Sequence, residues 1–517
     1  MTTSLHTAAF IHANLYKDSV ALMRVAQSLL AMPGVVNATL QMGNPANKDI
    51  LREAGLLKSA VLDAGPSDVM VVVQARTADA CDAAVTRCKA ELAGTQAAGP
   101  QAADATRVAP TNLGMGKAAL AAANLAQISV PGPYAAAEAL KAIKLGLNVF
   151  LFSDNVPLAQ EAALKREAVR RGLLVMGPDC GTAIIGGVPL GFANAVRRGS
   201  IGLVAASGTG LQEVSTQIHR MGGGISHAIG TGGRDVYDAV GGATMLQGIA
   251  LLAADAATKV IVIVSKPPGA VVAARVLGAL QATGKPSIVL FLGPASTLPK
   301  PAKGGLVRVA HTLVDCAALA VKLAGVRRST PPEYELPKKP VFGKGQKYLR
   351  ALFSGGTFAA EAQLLWAAAG LHVWSNVPLD PTLELPNPRQ ASQAHSALDL
   401  GDDAFTVGRP HPMIDQAARI ERLGLEAADP SVRVILLDVV IGWGAHSNPA
   451  GELAPAIQRA KAVARKAGRN LAVVGFVCGT ETDPQVLSAQ EATLRAAGMV
   501  LAANSANAAW LAGEWVR

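Results

Sequence analysis

The chain has 517 residues, of which half are apolar and 4% are aromatic, and its formal net charge is +10. Its lysines and arginines are scattered, so the charge argues against a nucleic-acid surface and favours small anionic ligands. Five widely spaced cysteines without a CxxC pair exclude a disulfide framework and a zinc site, and predict reduced thiols. The sequence shows neither the order of a signal peptide nor the length of a membrane span, which predicts a cytoplasmic protein.

The first segment, 1–93, alternates strand and helix patterns and predicts a small α+β module of the ferredoxin-like kind. Its strands are expected at 6–13, 35–41 and 68–74, and its main helices at 19–32 and 78–92. We interpret the module as a packing or regulatory unit. The next segment, 94–112, is rich in Ala, Gln, Gly, Pro and Thr without periodicity, and is predicted to be a linker.

Residues 113–198 predict a Rossmann-like βαβαβ unit with parallel strands. Its last strand runs into the turn Gly177-Pro178-Asp179-Cys180-Gly181, at the sheet edge where parallel α/β units bind ligands. No G-x-G-x-x-G follows the first strand, so the phosphate fingerprint of a dinucleotide site is missing.

A strand-to-helix turn organises the next domain, 199–326. An apolar run enters Ser207-Gly208-Thr209-Gly210, and helical spacing follows. The first amides of a helix have no intrahelical acceptor, and the helix dipole favours negative charge there. The turn therefore predicts a phosphate or carboxylate site, with simple helix capping as the alternative.

The same arrangement recurs after a Pro-rich linker at 327–346. Within the last domain, 347–517, an apolar run enters Ser354-Gly355-Gly356-Thr357 and a helical pattern follows. The features downstream of both turns recur in one order: a glycine- and aspartate-containing turn, a buried strand, a second turn and another strand. This internal repeat predicts two similar α/β halves that present matching anion turns.

These motifs, in order, resemble the α subunit of succinyl-CoA synthetase, and the last domain resembles the CoA-ligase domain of that enzyme's β subunit. An α-β fusion with an extra N-terminal module resembles the FdrA family. The resemblance implies an α/β fold with a Rossmann-like CoA-binding-type domain and two flavodoxin-like CoA-ligase-type domains, behind the N-terminal module.

The departures from that family bear on its chemistry. The N-terminal module stands where the α subunit has its CoA-binding glycine turn. The interval that holds the family's phosphohistidine is 293–305 here, and it contains no histidine; His311 lies just beyond it. The sequence also shows no ATP-grasp domain. These departures argue against a phosphohistidine relay, against CoA and against any obligatory cofactor.

The FdrA resemblance implies a transferase: a subunit of oxamate carbamoyltransferase in allantoin breakdown. The substrates would be oxalurate or oxamate with phosphate or carbamoyl phosphate, and further subunits would complete an oligomeric complex. Two alternatives stay open. One is a component of an acyl-CoA synthetase of the succinyl-CoA type, which is a ligase. The other is a non-catalytic scaffold that binds an anion and recruits partners.

Candidate site residues follow from the turns and from the strand ends of both halves. Arg234 is either a bidentate clamp on an anion or an ion-pair partner of Asp235 or Asp238. His411 is either a general acid or base near neutral pH or a solvated loop residue. No spacing predicts a metal site. The phosphate-binding candidates are Ser207, Gly208, Thr209, Gly210, Ser354, Gly355, Gly356 and Thr357, and the substrate-binding candidates are Gly177, Pro178, Asp179, Cys180, Gly230, Gly232, Gly233, Lys266, Gly401 and Arg409.

Overall fold

The computed structural model describes residues 5–15, 17, 19–94, 110–293, 304–327, 332–406 and 409–517. Three segments lie partly outside the described residues. They are 95–109 of the predicted linker 94–112, 294–303 of the interval 293–305, and 328–331 of the predicted linker 327–346. The chain divides into two compact units, 1–110 together with 407–410, and 111–406 together with 411–517.

The first unit is the predicted α+β module. Its three strands form an antiparallel sheet in the order β1-β3-β2, and β3 pairs with both neighbours along its whole length. Apolar side chains on the two faces of β3 enter separate core clusters, because successive side chains of a strand point to opposite faces. The elements are β1 (His6–His12), α1 (Ser19–Leu30), β2 (Val35–Met42), α2 (Pro45–Glu53), a 3₁₀ turn (Ser59–Val61), β3 (Val69–Ala75) and α3 (Ala78–Gly94).

The second unit begins with the predicted Rossmann-like segment. Three parallel strands pair in the order β4-β5-β6, and a cluster of small and aliphatic side chains fills the space between the sheet and its helices. The elements are α4 (Leu113–Ala119), β4 (Leu125–Ile128), α5 (Gly132–Lys144), β5 (Asn148–Leu151), α6 (Leu158–Arg170) and β6 (Val175–Met176).

The first half of the repeat is a seven-stranded sheet in the order β13-β12-β11-β9-β10-β7-β8. Strands β9 to β13 are parallel, and the antiparallel hairpin β7-β8 extends the sheet beyond β10. Sequence analysis did not predict this hairpin. The elements are β7 (Thr182–Ile185), β8 (Val188–Gly191), β9 (Arg198–Ala206), α7 (Gly208–Arg220), β10 (Ile225–Gly230), α8 (Ala243–Ala254), β11 (Val260–Ser265), α9 (Ala270–Ala282), β12 (Ser287–Phe291), β13 (Val307–Val309) and α10 (Leu313–Leu323).

The second half is a six-stranded parallel sheet in the order β15-β16-β14-β17-β18-β19. Its strands are almost wholly buried, as expected for parallel strands that are covered by helices on both faces. The elements are β14 (Tyr348–Phe353), α11 (Gly356–Ala368), β15 (Val373–Ser375), a 3₁₀ turn (Pro381–Leu383), β16 (His395–Asp399), α12 (Asp403–Thr406), α13 (Ala417–Ala428), β17 (Val432–Val440), α14 (Pro449–Lys466), β18 (Ala472–Cys478), α15 (Leu487–Ala496), β19 (Val500–Leu501) and α16 (Ser505–Val516).

The two sheets show the repeat directly. The central run β12-β11-β9-β10 of the first sheet has the same order as β18-β17-β14-β16 of the second. Strands β9 and β14 hold equivalent central positions, and each leads into one of the two predicted anion turns. In the described part of the chain, no helix is both long and apolar enough to cross a membrane.

Candidate functional site at two opposed helix N-termini

The two predicted turns meet in the structure. Ser207 is the N-cap of α7, and its Oγ accepts a hydrogen bond of 2.9 Å from the Gly210 amide. The same hydroxyl is hydrogen-bonded to the hydroxyl of Thr357, in the first turn of α11. A side chain from each half of the repeat therefore joins the N-termini of α7 and α11.

The glycines of these turns differ in how closely other atoms surround them. A Cβ at Gly355 would overlap the Thr209 side chain, and a Cβ at Gly210 would lie 3.1 Å from the Thr357 methyl carbon. These two glycines allow the turns to pack against each other. At Gly208 a Cβ would meet only the Thr182 hydroxyl, at 3.3 Å, so this position is more open.

Four amides remain at the junction. Gly208 and Thr209 are the first residues of α7, and Gly356 and Thr357 are the first residues of α11. Amides in these positions have no intrahelical acceptor, and both helix dipoles place positive potential there. The geometry thus suits an anion at the edge of the junction, and phosphate binding by Ser207 to Gly210 and by Gly355 to Thr357 stays a prediction. Ser354 was also predicted to bind phosphate, but its amide and its hydroxyl both donate to the Asp438 carboxylate.

Lys266 and Asp399 flank the start of α11. A Cβ at Gly356 would lie 2.7 Å from the Lys266 ammonium and 2.7 Å from the Asp399 carboxylate. Burial raises the pKa of Asp399 to about 6, although the nearby Lys266 opposes this shift. Lys266 was predicted because it follows a strand end, whereas Asp399 was missed because its segment, 398–403, was used only as a turn that marks the repeat.

The turn that contains Asp179 lies near the same lysine. The Asp179 backbone has a positive φ of 54°, and its amide donates to the Ser153 carbonyl at 2.9 Å. Desolvation, followed by the neighbouring Asp154 carboxylate, raises the pKa of Asp179 to about 6, whereas Lys266 lowers it. Asp179 therefore belongs to a charged group around Lys266.

The other members of that turn serve packing. A Cβ at Gly232 would overlap the Pro178 carbonyl, and a Cβ at Gly230 would lie 2.6 Å from the Cys180 sulfur. Gly177 has a φ of 111° and precedes a cis peptide bond to Pro178. Gly230 and Gly232 thus let two loops approach closely, while a Cβ at Gly233 would meet nothing within 4 Å.

Cys180 is poorly suited to be a nucleophile. Its side chain is buried, and its thiol donates to the Thr182 carbonyl at 3.6 Å. Burial raises the pKa of this thiol to about 12, so almost no thiolate exists at neutral pH. Cys180 was predicted to bind substrate, and its buried position beside Gly230 instead gives it a packing role in its turn.

Arg234 is already paired. Its guanidinium lies 2.9 Å from the Glu161 carboxylate and donates to the Val156 carbonyl at 2.6 Å. Glu161 also binds the buried ammonium of Lys165, which in turn contacts Asp235 at 2.8 Å. Arg234 was predicted either to clamp an anion or to pair with Asp235 or Asp238. The structure shows neither, because the guanidinium is paired with Glu161.

His411 and Gly401 lie beside the second turn. A Cβ at Gly401 would be 2.7 Å from His411 Nε2 and 3.0 Å from the Ser354 carbonyl oxygen. Desolvation lowers the pKa of His411 to about 4, so the ring is neutral at physiological pH. Its Nδ1 accepts from the Met413 amide at 3.2 Å, which places the ring proton on Nε2. Arg409 belongs to the first compact unit, whereas both turns belong to the second.

Two buried glutamates stand behind the turns at equivalent positions. Glu213 lies six residues after Ser207, and Glu361 lies six residues after Gly355. Ser505, at the start of α16, donates its amide to Glu213 at 3.3 Å and its hydroxyl to Glu361. Burial raises the pKa of both, that of Glu361 to about 7. Only alignment of the two turns within the sequence would have singled them out.

No metal centre accompanies these groups. Within the described ranges, no cluster of three or more His, Cys, Asp or Glu side chains has a geometry that could hold a metal ion.

Three family models match separate parts of the chain. They are an AllF heavy metal-associated domain at 4–108, a CoA binding domain at 196–293 and a CoA-ligase domain at 352–515. The CoA-binding match covers the segment that sequence analysis interpreted as the first CoA-ligase-like domain. Together the matches fit a succinyl-CoA synthetase-like fusion.

Among similar proteins, the uncharacterized protein YahF of Escherichia coli is 41% identical over 513 residues, which is 98% of either chain. An ADP-forming sulfoacetate-CoA ligase subunit, SqwL of an Acholeplasma species, is 28% identical over 32% of this chain and 56% of its own. An alpha subunit of ADP-forming succinate–CoA ligase from Archaeoglobus fulgidus is 28% identical over 28% of this chain and 51% of its own. The chain thus spans about half the length of these two ligase subunits.

The prediction of a transferase is wrong. The matching domains are CoA-binding and CoA-ligase domains, and the two shorter relatives are subunits of ADP-forming CoA ligases. None of these proteins or domains is described by carbamoyl transfer. The ligase alternative, which the succinyl-CoA synthetase resemblance suggested, fits the matches better.

Proposed function

The chain belongs to the same protein family as Escherichia coli YahF, and from its CoA-binding and CoA-ligase domains we propose that it is a component of an acyl-CoA ligase of the succinyl-CoA synthetase type. The named relatives join CoA to a carboxylic acid, sulfoacetate in one case and succinate in the other, with formation of ADP. We propose the same reaction class here and leave the acid itself open.

The observation that carries the proposal is the contact between Ser207 and Thr357. It joins the N-termini of α7 and α11, and the Lys266 ammonium lies 2.7 Å from the Cβ position of Gly356 in the first turn of α11. We infer that the amides of both helices and this ammonium face one anion. Activating a carboxylate for attack by a thiol makes an acyl phosphate, whose phosphoryl group carries the charge that such a place favours. We therefore propose that this junction holds the phosphoryl group of an acyl phosphate.

The proposal needs no phosphohistidine in this chain. The interval 293–305 contains no histidine, and His311 is exposed beside the start of α10, where its amide donates to Asp315 at 3.0 Å. Further subunits would supply the nucleotide-dependent step, since the sequence shows no ATP-grasp domain. A narrower assignment to the FdrA family is supported by the order of an AllF-type domain before CoA-binding and CoA-ligase domains.

The test uses acyl phosphates, because they bypass the nucleotide. Full-length protein is incubated with CoA and with acetyl phosphate or succinyl phosphate, and the loss of free CoA thiol is measured. We expect thiol loss with at least one of the two, and a decrease of about a hundredfold in Lys266→Met, since one oriented charge in a site is worth about that much. Lys344→Met is the matched control, because Lys344 is exposed on the linker.

Binding separates the outcomes. If neither CoA nor any acyl phosphate changes the melting temperature of the protein, the ligase proposal fails, because a ligand that prefers the native state must stabilise it. Stabilisation by phosphate without any stabilisation by CoA would support the expectation that CoA does not bind this chain, and would favour the anion-binding scaffold.

A further inference from the structure

Asp399 stands out because it is an acid beside a site that favours anions. It is 6% exposed and ends strand β16, where Asn376 fixes its backbone through two hydrogen bonds of 2.9 and 3.0 Å. Its Oδ1 accepts the Gly401 amide at 2.9 Å. Within the described residues no group donates to Oδ2, and this oxygen is the one that lies 2.7 Å from the Cβ position of Gly356.

The groups around Asp399 do not neutralise it completely. Lys266 faces the same side of Gly356, while Asp402 and Asp438 add negative potential from the neighbouring elements. Asp438 is itself held by the Ser354 amide at 2.9 Å and by Arg419. His411 Nε2 and Asp399 Oδ1 lie 2.7 and 3.2 Å from the same Cβ position of Gly401, and the His411 ring is neutral. Among the described residues, the Asp399 Oδ2 oxygen therefore has no donor, and it faces Gly356, where the proposed phosphoryl group would bind.

Two anionic oxygens at hydrogen-bonding distance need a proton between them, because an ionised carboxylate can only accept. Resting on the proposed function, we propose that Asp399 is the specificity-determining residue of the anion site and shares one proton with the bound phosphoryl group. Hydrogen phosphate and a monoprotonated acyl phosphate bring this proton themselves. Sulfate has no proton near neutral pH, so Asp399 excludes it.

A further observation agrees with this assignment. Burial raises the pKa of Asp399 to about 6, so that the carboxyl group can take up a proton under mild conditions. Sulfate should then bind more tightly at low pH, when Asp399 is protonated, than at high pH. The affinity for sulfate is thus expected to follow the protonation of a single group of the protein.

The test measures the affinity of the full-length protein for inorganic phosphate and for sulfate by calorimetry at about pH 5.5 and about pH 7.5. For the wild type we expect phosphate to bind about tenfold or more tightly than sulfate at the higher pH. This difference in affinity corresponds to one hydrogen bond to a charged group. Sulfate affinity should rise severalfold at the lower pH. In Asp399→Asn, whose amide donates without titrating, sulfate affinity should rise about tenfold at the higher pH and lose its pH dependence.

Asp402→Asn is the matched control. It removes a carboxylate of the same loop, but Asp402 caps the Ala404 amide at 3.0 Å. A general loss of negative charge would raise sulfate affinity equally in both variants and would overturn the proposal. An unchanged phosphate-to-sulfate ratio in Asp399→Asn would also overturn it. If the wild type binds neither anion, the anion site itself fails, and with it the proposed function.

Discussion

At the scale of single residues, the site depends on carboxyl groups that the fold keeps partly protonated. Glu361 is buried between the Leu313 amide, which donates to it at 2.6 Å, and the Ser505 hydroxyl. Glu213 lies near enough to raise its pKa further. Sequence analysis found the turns that precede these residues but not the residues themselves, because a glutamate within a helix usually faces solvent.

The pKa of Glu361, about 7 against an ordinary value of 4.5, predicts how stability depends on pH. Below pH 4.5 both the folded and the unfolded chain carry the proton. As the pH rises towards 7, the unfolded chain ionises first, so the free energy of unfolding falls by up to a few kcal/mol at about 1.4 kcal/mol per pKa unit. Thermal unfolding of Glu361→Gln should show a smaller fall between pH 5 and 8 than the wild type. A surface substitution, Glu138→Gln, should leave the fall unchanged, and an identical fall in Glu361→Gln would refute the assignment.

Cysteine reactivity is a second prediction at this scale. All five cysteines are buried, and burial raises the pKa of Cys180 to about 12. The native protein should therefore react with a thiol reagent at pH 8 far more slowly than the unfolded protein, because the thiolate is the reactive form. Mass spectrometry after brief labelling would locate any modified residue. Rapid labelling at Cys180 would contradict this prediction, because it would show that the thiol is accessible and can act as a nucleophile.

At the scale of elements, the two strand-to-helix turns explain most of what could be predicted. The pattern of an apolar run, small residues and helical spacing is local, so β9 with α7 and β14 with α11 could be predicted from sequence. The matching order of the two sheets, which the repeat indicated, gives both turns equivalent positions, but their direct contact is seen only in the Ser207–Thr357 hydrogen bond. The hairpin β7-β8 was missed because its strands are only four residues long and carry glycines at their ends.

The contact between the turns predicts different effects for neighbouring glycines. Gly355→Ala should lower the free energy of unfolding by about 1–3 kcal/mol, because its Cβ overlaps Thr209 and the turns must separate. Gly208→Ala should be tolerated by the fold but should weaken phosphate binding, since its Cβ projects into the more open side of the junction. Gly278→Ala, in an open position on α9, is the control and should be neutral or stabilising. Denaturant unfolding measures the stability of all three variants. Equal stability of Gly355→Ala and Gly278→Ala would contradict the close packing of Gly355 against Thr209.

At the scale of the whole molecule, the fold could be predicted more fully than the reaction. Hydrophobic periodicity and the repeat identify an α+β module, a Rossmann-like segment and two α/β halves. This is possible because the spacing of apolar residues within each helix or strand reflects which of its faces is buried. The reaction was assigned to the wrong class because the assignment came from the FdrA resemblance. The two anion turns could not correct it, since they suit any phosphorylated substrate and do not distinguish a transferase from a ligase. Arg234 was misjudged because its partner Glu161 belongs to another predicted domain. Asp399 was missed because only the folded chain places its Oδ2 oxygen beside Gly356.

The most direct test of the account is a calorimetric titration of the full-length protein with inorganic phosphate, compared with the variant Lys266→Met. The helix N-termini and the Lys266 ammonium should together bind one phosphate per chain. The variant should keep its fold and lose about tenfold or more in affinity, because an ammonium contact to an anion contributes about 1.5–3 kcal/mol. A wild-type protein that binds no phosphate, or a variant that binds it equally well, would contradict the central claim that the opposed helix N-termini form an anion site.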